Sequence, residues 1–156
     1  MIAANLQVLQ RFGQLFTEMV FDVLDAPAVA DPATVIRAAA VAAADKVGVP
    51  LVKMVAQHPG DSNPMVSCYI DSALPAMLII LYKYADDPAA CLLASANAGG
   101  ENVARGAVLG TLMGAAFGKA GLPGWMVDGL LQTAELEAEI AGLQRAVEHT
   151  AATGNL

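Results

Sequence analysis

The chain has 156 residues, enough for one domain with its own core, and carries a formal net charge of −7 with two cysteines. Mean hydropathy is +0.54 and 56% of residues are hydrophobic, yet aromatics supply only 5%, so the apolar content is mostly Ala, Val and Leu. That acidic balance excludes the basic footprint of a nucleic-acid binder, and the Ala/Leu-rich composition favours packed helices.

The first element is a helix from Asn5 to Leu24, where Leu6, Leu9, Phe12, Phe16, Met19, Val20 and Val23 recur mostly at three- and four-residue steps. Pro27 ends it. This opening segment has no basic stretch before its apolar residues and contains Glu18 and Asp22, unlike a secretory or organellar presequence, so an intracellular protein is expected. Asp31-Pro32 then reads as a cap followed by proline at the first helical position, and the second helix closes on Gly48. Residues 49–57 predict a shorter helix before His58-Pro59-Gly60-Asp61-Ser62-Asn63-Pro64, the clearest loop in the chain.

Residues 67–85 are apolar on most faces, the pattern of a helix surrounded by others. Asp86-Asp87-Pro88 opens another helix running to Asn97. Gly99-Gly100 follows, then a helix with glycine at 106, 110, 114 and 118, broken at Gly121-Leu122-Pro123-Gly124. A short helix is expected over 125–130. The last segment, 135–150, puts Leu136, Ile140, Leu143 and Val147 on one face and its charges elsewhere. Nothing alternates with period two, so the expected fold is one all-α domain over 1–156.

No apolar run reaches the roughly 20 residues that cross a bilayer. The run Ser72–Tyr82 lies between Asp71 and Lys83, and the glycine-spaced run lies between Arg105 and Lys119. No membrane span is therefore predicted. Cys68 and Cys91 stand in neither a disulfide framework nor a zinc spacing and read as reduced core thiols. His58 and His149 read as solvated.

Glycines four apart form one stripe of a helix and would let a neighbour approach its backbone. The sequence GGENVARG is neither GxGxxG behind a strand nor GxxxxGK[ST], which argues against a nucleotide loop. Glu101 and Asn102 fall at a helix start, where backbone N–H groups can hold an anion and side-chain oxygens can reach a hard cation. Arg105, four residues after Glu101, suits a surface ion pair with it or a pyrophosphate contact. Tyr69 and Trp125 read as core or rim aromatics. Asp61-Ser62-Asn63 reads as a turn.

Tyr69, Asp71-Ser72, Asn97, Gly99-Gly100, the four spaced glycines, Leu122-Pro123 and Trp125 together resemble, in order and spacing, the C-terminal half of the ADP-ribosylglycohydrolase family. The likeness covers residues 68–130; residues 1–64 fit loosely and 131–156 form an added amphipathic helix and tail. The resemblance implies an all-α fold holding two magnesium or manganese ions and the ribose of ADP-ribose, with hydrolysis of the N- or O-glycosidic bond to a protein side chain. It places ligand contacts at Tyr69, Gly99, Gly100, Asn102 and Arg105, and metal ligands at Glu101, Asn102 and Asp71. The family's Asp-Thr-Asp-Thr is here Glu101-Asn102-Val103-Ala104, and its Thr-Asp-Asp and Gly-Asp-Ala-Leu-Gly motifs are missing. A single chain is therefore not expected to assemble the dinuclear site. The alternative to a hydrolase is a noncatalytic scaffold or structural subunit that can retain ligand binding. Half of a helical fold would leave an apolar face open, so a homo-oligomer or a larger complex is expected.

Overall fold

A computed structural model describes residues 2–64 and 69–153, with the side chains of 2–6 and 70–71 outside the described set. The described residues form eight helices and no strand: α1 (Ile2–Leu24), α2 (Pro32–Val47), α3 (Leu51–Ala56), α4 (Ile70–Lys83), α5 (Pro88–Asn97), α6 (Asn102–Gly121), α7 (Gly124–Asp128) and α8 (Thr133–Thr153). The all-α expectation holds. No described helix is long and apolar enough to cross a membrane. Two compact units are present, Met1–Leu122 and Pro123–Leu156.

In the first unit the helix boundaries follow the punctuation of the sequence. Asp31 accepts from the Thr34 backbone N–H at 2.9 Å and from its hydroxyl at 2.7 Å, while Gly48 ends α2 in the left-handed conformation at φ 73°. Asp87 caps α5 in the same way, accepting from the Ala90 N–H at 3.0 Å. These bonds satisfy backbone donors that the first helical turn leaves without partners.

Six consecutive residues of α4, from Ala76 to Leu81, are buried. A helix buried on successive positions has neighbours on every side, and α4 packs against α2, α3, α5 and α6. Alanines 39, 40, 43 and 44 of α2 are also buried, so their small side chains bring α2 close to its neighbours. Helix α1 is tied to α2 by Lys46, whose ammonium donates to Glu18 at 2.8 Å while its carbonyl accepts from Arg11 at 3.0 Å. That pairing raises the Lys46 pKa and lowers that of Glu18. Cys91 is a buried free thiol, as expected, and burial pushes its pKa up to about 12, which keeps it protonated and unreactive. Cys68 lies outside the described residues.

Helix α6 packs against α1, α2, α4 and α5, most extensively α5. Its buried residues are Arg105, Leu109, Leu112 and Met113. The glycine stripe behaves differently from the sequence expectation. A Cβ at Gly106 would meet nothing within 4 Å, and one at Gly110 would make an ordinary contact of 3.8 Å with Leu92. Close backbone approach is therefore not what these glycines allow. Gly118, with φ 66° and ψ 174°, leaves helical geometry altogether and kinks α6, a conformation open almost only to glycine.

In the second unit, the left-handed Gln132 (φ 59°) precedes α8. Leu136, Ile140, Leu143 and Val147 along α8 are all exposed, and so is Trp125 of α7.

Candidate functional site

Five of the predicted site residues, Gly99, Gly100, Glu101, Asn102 and Arg105, lie in the turn between α5 and α6 or in the first turn of α6. Gly99 and Gly100 both adopt left-handed φ values, 72° and 66°, which residues with a Cβ adopt only under strain. Two successive left-handed residues reverse the chain between α5 and α6. Immediately after them Glu101 occupies the N-cap of α6, its Oε1 accepting from the Ala104 N–H at 3.2 Å. A carboxylate there also meets the positive end of the helix dipole. Asn102 Nδ2 approaches the Ala96 carbonyl at 3.4 Å, tying the start of α6 to the end of α5.

Arg105 is the largest departure from the sequence reading. Instead of forming a surface pair with Glu101, it is buried, with 4% of its surface exposed. Its Nε donates to Ser95 Oγ at 3.0 Å, and its Nη2 donates to the Ser95 carbonyl at 2.7 Å and the Gly99 carbonyl at 2.9 Å. The guanidinium fork thus binds the last turn of α5, where carbonyls lack helical donors. Nη1 is buried without a partner. Burial pulls the Arg105 pKa below its ordinary value, and the negative charge of Glu101 offsets part of that effect. Ser95, also buried, had no signal in the sequence beyond being a polar residue within an alanine-rich helix.

The remaining predicted site residues, Tyr69 and Asp71, belong to the start of α4. Tyr69 is the exposed N-cap residue of α4, and the Asp71 side chain lies outside the described set. His149 is exposed, as expected, whereas His58 is half-buried. The Asp61-Ser62-Asn63 turn is held from α4. Lys83 donates to the Ser62 carbonyl at 2.6 Å and to Asn63 Oδ1 at 3.0 Å, and Asn63 Nδ2 donates to the Tyr84 hydroxyl at 3.1 Å.

Beside the α5–α6 turn lies a cavity of about 330 Å³ between α1, α4 and α6. Its wall includes Phe12, Phe16, Met19, Leu74, Met77 and Val108, and its charged residues are Glu101 and Arg105. The periodic apolar face of α1 was legible in the sequence; that it borders a void next to Glu101 was not.

The sequence pattern of ADP-ribosylglycohydrolases matches residues 3–154. The chain belongs to the ADP-ribosylglycohydrolase family. Comparison with curated proteins and with solved structures found no match. The family match covers nearly all of the loosely fitting residues 1–64 and of the segment 131–156, a wider extent than the 68–130 likeness.

With the Asp71 side chain outside the described set, the expected metal ligands that can be compared with a cation site are Glu101 and Asn102. No three histidine, cysteine or acidic side chains converge among the described residues. Glu101 spends one oxygen on its cap, Val103 and Ala104 offer no side-chain donor, and the adjoining cavity wall is largely apolar. Hard cations need several oxygens at short range, and a hydrocarbon wall supplies none.

Proposed function

We propose that this chain is a noncatalytic member of the ADP-ribosylglycohydrolase family, a scaffold or structural subunit that can retain binding of an ADP-ribose-like ligand but does not cleave its glycosidic bond alone. The observation that carries this reading is the use made of the Gly-Gly-Glu-Asn turn. Its glycines make the reversal, Glu101 caps α6, and Arg105 is engaged by Ser95 and Gly99. Arg105 and Asn102, which the resemblance assigns to the ligand, bond to the end of α5, and Glu101, which it assigns to a cation, caps α6. The apolar residues exposed along α8 accord with a homo-oligomer or a place in a larger complex.

The second reading is a hydrolase with one magnesium or manganese ion held by Glu101, Asn102 and Asp71, favoured by the family match across nearly the whole chain. In that reading Tyr69, Gly99 and Gly100 would border the ligand. An assay for release of ADP-ribose from ADP-ribosylated arginine and serine peptides, with magnesium or manganese, separates the two. The noncatalytic reading predicts release no faster than without protein. Metal-dependent turnover that disappears in Glu101→Ala would establish the hydrolase.

A further inference from the structure

Helix α8 has no buried residue, although Leu136, Ile140, Leu143 and Val147 line one face of it and are between 42% and 66% exposed. A helix of 21 residues that contains Gly142 gains little from propensity alone; most helical stability in proteins comes from packing an apolar face. The stripe advances by four, three and four residues, the spacing of a two-stranded coiled-coil seam. Thr133, seven residues before Ile140, and Thr150, seven after Leu143, continue the seam with short polar side chains. Its order reads the same in both directions, so the face fits a second copy of itself running antiparallel. A two-fold axis at the level of Ala141 and Gly142 sets Leu136 against the second copy's Val147 and Ile140 against its Leu143. Glu139 and Ala146 lie on one flank of the seam, Glu137 and Gln144 on the other, and Arg145 on the opposite face of the helix. In the antiparallel pair each flank meets its own copy: Glu139 faces the second copy's Ala146, and Glu137 faces its Gln144. No carboxylates are opposed. A parallel pair would gather Glu137 and Glu139 of both copies at one level, where like charges repel.

We propose that α8 is a self-association surface that pairs with α8 of a second copy in an antiparallel two-helix seam. The pairing rests on the homo-oligomer named in the functional reading and gives it a face and a direction. It makes no use of the Gly-Gly-Glu-Asn turn, so a chain that stays monomeric would overturn this proposal and leave the noncatalytic reading standing. Four large apolar side chains from each copy leave water together and supply the attraction. The flanking charges supply the direction.

Light scattering of the full chain at rising concentration tests the pairing, with a dimer expected at the high end. Leu143→Glu, at an exposed position, should raise the dissociation constant at least about tenfold. Ala146, also exposed, reports direction. Ala146→Lys places a cation against the second copy's Glu139 and should tighten the antiparallel dimer, whereas Ala146→Glu should loosen it, with about tenfold between the two variants at low salt. In a parallel pair position 146 would face the second copy's Ala151, and the two variants would associate alike. Melting curves establish that each variant is folded. A monomer at every concentration, an unchanged dissociation constant in folded Leu143→Glu, or equal constants for the two Ala146 variants would overturn the proposal.

Discussion

Two turns in the first unit are built from the same parts and differ in depth. The α5–α6 turn and the 57–63 loop each contain left-handed glycine, Gly99 and Gly100 in one and Gly60 (φ 56°) in the other. A cation from a helix donates to carbonyl oxygens of each. At the α5–α6 turn the cation is Arg105, buried and making three hydrogen bonds; at the loop it is Lys83, half-buried and making two. A guanidinium presents donors in a fixed fork and is more weakly hydrated than an ammonium, which suits it to the buried turn. A lysine suffices where water shares the task. The comparison teaches that a positive charge beside a glycine turn can be a structural clamp rather than a ligand contact.

The largest effect should come from Arg105→Ala. Removing the fork strands the Ser95 hydroxyl and the Gly99 carbonyl, and loss of a buried hydrogen-bonding hub should lower unfolding free energy by about 3 kcal/mol in urea titration. Arg105→Lys should recover only part of that loss, since an ammonium cannot reproduce the fork. A loss under about 1 kcal/mol would remove the distinction between the two turns.

Next in size is the glycine pair. Gly99→Ala and Gly100→Ala each force a Cβ into the left-handed region, costing about 1–2 kcal/mol apiece. Gly60→Ala tests the same conformational effect at the loop, where a Cβ would meet nothing within 4 Å, so about 1 kcal/mol is expected from backbone strain alone. Lys83→Ala should cost least, about 0.5–1 kcal/mol, and should leave the α5–α6 turn unchanged in amide exchange. A loss as large as that of Arg105→Ala would mean that the loop clamp is equally important.

Much of the fold was legible because the chain punctuates its helices clearly. Asp31-Pro32, Gly48 and Asp87-Pro88 each stand at a helix boundary, for the capping reasons that make those residue types informative. The apolar run of α4 correctly indicated a surrounded helix. The site was less legible. Four-residue spacing suggested that Arg105 pairs with Glu101, but burial against the carbonyls of Ser95 and Gly99 prevailed over a weak surface pair. Ser95 and Lys83 gave no warning, because their partners are separated from them by 10 and by 20 or 21 residues and come together only in the folded chain. Glycine spacing likewise could not distinguish close helix packing from the open space beside Gly106 or the kink at Gly118.

The central claim is that the Gly-Gly-Glu-Asn turn serves the packing of α5 and α6 and does not carry a working cation and ribose site. The direct test is calorimetric titration of ADP-ribose into the folded chain with magnesium, manganese or EDTA, repeated with Glu101→Ala. The account predicts that whatever binding occurs is the same in all three solutions and survives the substitution. Saturable binding that requires the metal and vanishes in Glu101→Ala would contradict it.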